Sequence, residues 1–393
     1  MATENYGGLG PDRQNEIYLH GLLGQKPGFP TSPEDLEQRA KAKMTPEAYD
    51  YVSGGAGVGS TMKANLEAFQ KWRIVPRMLK DVSQRDLKVT LLGKTLPAPV
   101  LLGPVGVLSL AHPDGDLAVA RAASSLGLPY VLSNASSHSI EEVAGVMGTS
   151  PRWFQLYFGR DRDVNASFLR RAESSGYDAV VVTLDTKILG WRDRDLQNGF
   201  LPFLKGEGVA NFMTDPVFRG KLPRPPEEDM QGAIIESIGR ALDPAFGWDD
   251  IGFIRDHTRL PIVLKGVLSP EDAEKALSLH ADGIVVSNHG GRQVDGGISS
   301  LSALPQVVET VGNKIPVFFD SGIRTGADAV KALALGANAV LLGRLYTWAL
   351  AVGGEDGVRE VVRNFLAEMD LTLALSGVSS LSEIDSAMVT RDS

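Results

Sequence analysis

Residues 317–343 read VFFDSGIRTGADAVKALALGANAVLLG. The apolar run at 317–320 has the length and composition of a buried strand, and 339–343 repeats that character. Between them lie a turn bearing glycine and arginine and a helical segment that Gly336 closes after Leu335. Two buried strands joined through a helix form a parallel pair, because parallel neighbours need a crossover of a dozen or more residues.

Working outward, the same unit recurs along the chain. Further candidate strands fall at 98–103, 130–133, 153–157, 179–185, 261–265 and 283–287, making eight in all. Helix starts sit where this pattern needs them. Ser139 with Glu142 has the spacing of a capping box, and Ser269-Pro270-Glu271 orders a cap, a first-turn proline and a first-turn acid. Eight strand–helix units favour an α/β fold closed as a (β/α)8 barrel, with an open doubly wound sheet as the alternative.

Intervals between strand ends run from 22 to 33 residues, except for the 82 between Thr183 and Lys265. An insertion at 191–248 therefore follows the fourth strand. In a barrel it would lie over the C-terminal mouth, where chemistry occurs, and read as a lid; a solvated loop or a subunit contact is the plainer reading. Its centre, 219–229, is rich in proline and charge, which suggests mobility. The rest of the single domain expected over 1–393 is a helical segment at 1–97 and a tail at 351–393. The first has short helices at 33–42 and 46–52, expected to plug the barrel bottom or supply one residue to the mouth. The second carries a long outer helix at 355–375.

With 39 basic and 48 acidic residues the net charge is −9, and no basic run offers the footprint of a nucleic-acid binder. No apolar stretch reaches the ~18 residues of a membrane span. The start, MATENYGGLGPDRQNE, shows no secretory signal, and the absence of cysteine excludes disulfides, thiolate metal sites and cysteine nucleophiles. A soluble, cytoplasmic protein without a metal site is expected. The glycines at 54–59 are discounted as a dinucleotide loop, since no buried strand precedes them.

The turns after strands seven and eight, Asp320-Ser321-Gly322-Ile323-Arg324 and Gly343-Arg344, expose backbone N–H groups beside two arginines. Each opens onto a helix N-terminus, the recurrent phosphate site of such barrels. Strand six ends in Ser287-Asn288-His289-Gly290-Gly291-Arg292, where a histidine among glycines, three positions before an arginine, suits a general base beside a carboxylate-binding cation. Lys265 closes strand five and points to the mouth, fit for a Schiff base or for stabilising negative charge. Asp185, ending strand four, can hold the imidazolium of a protonated His289. Arg192 can pair with Arg292 to clamp a carboxylate. Each also has a plainer reading, a core histidine, a snorkelling lysine or a surface arginine, and His138 is the only competing histidine.

SNHGGRQ at 287–293, Lys265-Gly266 and FFDSGIRTGADAVKALALGA at 318–337 resemble the FMN-dependent α-hydroxy-acid oxidoreductases, the family of glycolate oxidase, lactate oxidase, lactate monooxygenase and mandelate dehydrogenase. The resemblance spans about residues 15 to 385, including YVSGGAG, FQLY, VTLDT and GWRDRDL. NEIYLHGLLG and NFMTDPVF are most similar to the lactate-acting members, lactate 2-monooxygenase and L-lactate oxidase. It implies that His289 is the base, Asp185 its partner, Arg192 and Arg292 the clamp, and Tyr51 and Tyr157 the tyrosines lining the substrate site. Lys265 would stand beside flavin N1. Pro104, Val105, Gly106, Ser133, Gln155, Thr183 and Ser287 would contact the flavin, and Asp320, Gly322, Arg324, Gly343 and Arg344 its ribityl phosphate. Ala135 stands where glycolate oxidases carry tryptophan.

The implied reaction is oxidation of an L-2-hydroxy acid, L-lactate first, by FMN and O2 in a homotetramer or homo-octamer. Release of pyruvate and hydrogen peroxide is one outcome. Decarboxylation of retained pyruvate by that peroxide within the site, to acetate, carbon dioxide and water, is the other, with the dwell time of the lid deciding between them. Two alternatives stand beside this reading: a non-flavin barrel enzyme binding a phosphorylated metabolite, with Lys265 as a Schiff-base residue, and a catalytically silent scaffold.

Overall fold

The computed structural model describes residues 8–392. The first seven positions, which belong to the stretch read for a leader, and Ser393 lie outside the described residues. Eight parallel strands close into a barrel: β1 (Val100–Leu102), β2 (Tyr130–Ser133), β3 (Arg152–Tyr157), β4 (Ala179–Thr183), β5 (Ile262–Val267), β6 (Gly283–Val286), β7 (Val317–Phe319) and β8 (Ala339–Leu342). Leu341 pairs with Leu101 across β8 and β1, so the sheet has no edge and the open doubly wound alternative falls.

Helices α1 (Gly115–Leu126), α2 (Ile140–Met147), α3 (Arg162–Ser174), α4 (Asp250–His257), α5 (Pro270–Ser278), α6 (Ser300–Val311), α7 (Gly326–Ala334) and α8 (Arg344–Leu375) follow the strands in turn. Ser139 and Glu142 form the expected capping box on α2, and Ser269 caps α5. Gly336 takes the left-handed φ of 101° that ends α7. The strands stop one or two residues short of their sequence limits at Asp185, Ser287, Asp320 and Gly343, which leave the ladder and turn into the mouth.

Inside the barrel, Leu101, Val131, Trp153, Val263, Val285 and Phe318 belong to one apolar cluster of alternate strand residues, with Trp153 edge-on to Phe318 at 5.3 Å. Leu91 and Leu96 of a hairpin (Val89–Leu91 with Lys94–Leu96) join that cluster. Lys94 at its tip pairs with Asp178 at the start of β4, 3.2 Å away, so the hairpin closes the bottom of the barrel. The short N-terminal helices do not plug it; the second, Pro46–Ser53, instead delivers Tyr51 to the mouth.

The outer C-terminal helix is the second half of α8, which breaks at Gly353 and Gly354, the latter at φ 58°. The break has a packing cause, since a Cβ on Gly353 would lie 2.2 Å from the Phe29 ring. In the insertion, the segment expected to be loose is tied down. Lys221 reaches Asp161 and Asp163 at 2.6 and 2.8 Å, Arg219 holds Glu227 at 2.8 Å, and Phe218 is wholly buried.

Candidate active site

One step of the period-two alternation beyond the apolar layer, the inward face of the strands turns polar. Ser133, Gln155, Thr183, Lys265, Ser287 and Asp320 stand there, with Gly103 and Gly343 completing the circle. Ser133 donates to Gln155 at 2.8 Å and Gln155 to Thr183 at 3.0 Å; across the ring, Lys265 Nζ donates to Ser287 at 2.9 Å and lies 3.2 Å from Asp320. Burial alone would lower the Lys265 ammonium, but Asp320 and Asp185 outweigh it and hold the group above the ordinary amine range. A lysine kept charged is a poor Schiff-base nucleophile, so the reading of Lys265 as a charge stabiliser gains and the aldolase-like one loses.

A cavity of about 330 Å³ opens above this ring. Pro104, Val105 and Gly106 from the β1 loop wall one side, and Gly322, Arg324, Gly343 and Arg344 from the β7 and β8 loops another. Tyr51, Tyr157, Arg192, His289 and Arg292 face it from the mouth.

His289 sits at φ 59°, a left-handed conformation costly for a residue with a Cβ and one that gathers at functional sites. Its Nδ1 lies 2.8 Å from Asp185 Oδ1 and 3.1 Å from the Thr186 hydroxyl, while Nε2 is 3.4 Å from the Tyr157 hydroxyl. Burial lowers the imidazole below its ordinary range, and the neighbouring Asp185 only partly opposes this. The ring is therefore neutral near pH 7, and hydrogen bonding assigns its proton to Nδ1, leaving the Nε2 lone pair toward the cavity. Burial pushes Asp185 up, yet His289, Lys265 and Thr186 outweigh it, so the carboxylate stays ionised behind the ring.

The arginines are the most telling feature. Arg292 donates to the carbonyls of Tyr51 and Gly54 at 2.5 and 3.1 Å, and Arg344 to those of Val52, Gly290 and Gly54 at 3.2, 3.0 and 2.7 Å. Arg324 donates to its neighbour's carbonyl at 2.9 Å and stacks 4.9 Å from the Trp348 ring. Among the described residues none of the three has a carboxylate partner in hydrogen-bond range. Burial, with Arg192 close by, pulls Arg292 down to about 10, and burial with Arg292 and Arg324 pulls Arg344 well below its ordinary value. Guanidiniums half-buried in one cavity and facing one another gain most from an anion that joins them. Two groups result, Arg192 with Arg292 near His289, and Arg324 with Arg344 by the β7 and β8 loops.

The helix termini refine the phosphate expectation. The first turn of α7 is already occupied, by the Thr325–Asp328 capping box and by Glu368, which accepts from Gly326 N–H at 2.9 Å. The N-terminus of α8, at Gly343, has no side-chain cap and is the free one. Three features together fit a flat, phosphorylated cofactor such as FMN: a polar floor with a lysine, glycines at the wall, and unpaired guanidiniums at one end.

Of the residues singled out in the sequence, Asp185, Ser133, Gln155, Thr183 and Ser287 stand behind or beneath the cavity, and the others line it. His138 is absent from that lining; its carbonyl accepts from Ser136. Sequence reading missed Thr186, although it directly follows Asp185. It also missed the amide pair of Asn65 and Asn288, joined by bonds of 2.8 and 2.7 Å, which ties the helix Ser60–Gln70 to the His289 loop and has no local signature. Gly54, discounted as a nucleotide loop, instead offers its carbonyl to both Arg292 and Arg344.

Comparison with known proteins bears on the cofactor directly. Residues 40–391 match the family model of the FMN-dependent dehydrogenases. An FMN-dependent alpha-hydroxy acid dehydrogenase of Penicillium citrinum is 43% identical over 98% of this chain and 95% of its own length. An L-lactate oxidase of Lysinibacillus sphaericus is 41% identical over 93% and 94%. The crystal structure of a mandelate oxidase superposes with a TM-score of 0.82 at 37% identity, over 92% of this chain and 98% of that one. Barrel, cavity-lining arginines and family match agree: the chain belongs to the FMN-dependent dehydrogenases that act on 2-hydroxy acids, and FMN is its cofactor.

Proposed function

We propose that the chain oxidises an L-2-hydroxy acid, with L-lactate the first substrate to test, to the 2-keto acid with O2 as electron acceptor. The carrying observation is the pairing of Arg192 and Arg292 beside the Nε2 of a neutral His289. The guanidinium carbons stand 6.0 and 5.0 Å from the same Tyr51 ring and both side chains line the one cavity, which supports their sharing a carboxylate. Bound FMN supplies the two-electron acceptor that O2 afterwards reoxidises.

The chain's own groups do the rest. The arginines hold the carboxylate and thereby aim the C2 carbon and its hydroxyl. His289 Nε2 takes one proton, from the hydroxyl if a hydride leaves C2 or from C2 itself if the electrons follow as a carbanion, in which case the hydroxyl proton is lost to solvent as the carbonyl forms. Asp185 stabilises the imidazolium so formed. Burial keeps the Tyr157 phenol protonated, as a donor toward the substrate oxygen. The Lys265 ammonium offsets negative charge gathering above the polar ring. The proton on His289 passes to solvent once the keto acid departs.

A second outcome, in which hydrogen peroxide formed in the site oxidatively decarboxylates retained pyruvate to acetate, carbon dioxide and water, is favoured by the insertion. Leu201, Phe203 and Ile238 cover the mouth on a segment pinned through Lys221. Anaerobic addition of L-lactate to the yellow protein should bleach it, and aerobic turnover with acetate, pyruvate and peroxide measured together separates the two outcomes. A flavin left oxidised by every 2-hydroxy acid offered would overturn the reading. A cytoplasmic homotetramer or homo-octamer belongs to the same proposal and is tested by fractionation and light scattering.

A further inference from the structure

Among the described residues, two non-glycine side chains that line the cavity stand on left-handed backbone, His289 at φ 59° and Ser321 at φ 81°. They come from different loops, those after β6 and β7, and they meet. Gly290 N–H donates to the Ser321 hydroxyl at 3.0 Å and Asn288 N–H does so at 3.4 Å, so the residues before and after His289 rest on one oxygen. That hydroxyl gives its own proton to Asp320 Oδ1 at 2.8 Å, and Asp320 Oδ2 faces Lys265 Nζ at 3.2 Å. A hydroxyl has one proton to donate and two lone pairs. Ser321 uses all three, which fixes its orientation. The other N–H groups of the loop are held in the same way: His289 donates to the Ser287 hydroxyl and Gly291 to the Asn288 side-chain oxygen, each at 3.0 Å.

Left-handed backbone persists in a residue with a Cβ only where its surroundings over-determine it. Without the Ser321 oxygen, the N–H groups of Asn288 and Gly290 have no other partner among the described residues, and the loop loses the contact that holds His289 at its strained φ. A glycine at 321 would take φ 81° at lower cost than serine. What the serine adds there is the hydroxyl.

We infer that Ser321 is a positioning residue, whose hydroxyl locks the left-handed seat of His289 and ties it to the Lys265–Asp320 pair on the polar floor of the cavity. The inference rests on the reading of His289 as the base and deepens it.

The test compares Ser321→Ala, which removes the hydroxyl and keeps the strained backbone, with Ser321→Gly, which removes the hydroxyl and relieves the strain. In the FMN-loaded protein both should slow anaerobic flavin reduction by saturating L-lactate at least about tenfold, the scale on which a small misplacement of a reacting group acts. Urea unfolding should find the glycine variant more stable than the alanine one, so that a loss of rate common to both is not a loss of fold. Hydrogen exchange gives a readout free of turnover: the Gly290 amide should exchange at least about tenfold faster in both variants. Propionate binding, followed through the flavin difference spectrum, should change little, because Arg292 is held separately by the carbonyls of Tyr51 and Gly54. A parental rate or a parental Gly290 exchange in Ser321→Ala overturns the role of the hydroxyl, and so does a rate restored in Ser321→Gly, which would make strain the cause. The His289 reading survives each of these results. It falls instead if His289→Gln reduces the flavin as fast as the parent protein.

Discussion

Asp185 holds His289 through one oxygen only: Oδ1 lies 2.8 Å from Nδ1, while Oδ2 is buried with no partner among the described residues. A carboxylate with one free oxygen in a low-dielectric site gains most when its neighbour becomes charged. The pair is thus arranged to stabilise the imidazolium, the state His289 reaches only after taking a proton. Replacing His289 by Gln keeps a polar side chain in place but removes the base. FMN binding should persist while anaerobic flavin reduction slows by at least ~10²-fold, the lower range of general-base effects. Stopped-flow absorbance measures this, and a near-parental rate would remove His289 from the role.

The pH dependence has a definite sign. The base works when neutral, and burial places its pKa below the ordinary 6.5. Activity in kcat/KM should therefore rise on an acid limb centred below pH 6.5 and be level above it. Asp185→Asn removes the group that raises the imidazole, so its limb should move to still lower pH while the plateau drops. A limb above pH 6.5 in the parent protein, or one that moves upward in the variant, contradicts this account.

Arg292→Met removes one of the two guanidiniums at the proposed carboxylate site and takes no side chain from the cofactor end, although it lifts one cation from beside Arg344. A charge-assisted hydrogen bond contributes about 1.5 to 3 kcal/mol, so KM should rise by roughly 10- to 150-fold with a smaller change in FMN affinity. Steady-state kinetics alongside flavin titration decides the matter; unchanged KM would leave the clamp without support.

The barrel was legible because each strand is short, apolar and bounded by turn residues, and the polar ring follows from the same alternation, two positions beyond Val131, Val263 or Val285. The site residues were legible where they lie one to three residues past a strand end, as Asp320, Asp185 and His289 do. What the sequence hid is long-range. The bond between Asn65 and Asn288 joins positions 223 apart, and the hairpin at Val89–Leu96 closes the barrel through packing that no periodicity announces. Pro and charge at 219–229 suggested mobility, but ion pairs to α3 and its cap decided otherwise.

Arg344 is half-buried among carbonyls and other arginines, so the protein without FMN carries a cation with no carboxylate partner among the described residues, which the phosphate should neutralise. Arg344→Met should weaken FMN binding by roughly 10- to 150-fold, which corresponds to the loss of one charge-assisted bond. Because a ligand stabilises the fold through its affinity, the rise in Tm on adding FMN should shrink in the variant. An undiminished rise would place the phosphate elsewhere.

Gly266 tests the support behind the base rather than the base itself. It lies in β5 at φ 109°, and a Cβ there would meet Asp185 Cβ at 2.9 Å and Oδ2 at 3.0 Å. Both the backbone conformation and the contact penalise a side chain, and the neighbour that must yield is the carboxylate gripping His289. Gly266→Ala should lower stability by about 1 to 3 kcal/mol, the range for a residue forced into a sparsely populated conformation. It should also slow flavin reduction, because Asp185 can relieve the clash only by turning away from Nδ1. Urea unfolding of the FMN-loaded protein gives the first quantity and stopped-flow reduction the second. If stability falls while reduction keeps its parental rate and acid limb, the tight seat of Asp185 is structural and the glycine plays no part in holding the base.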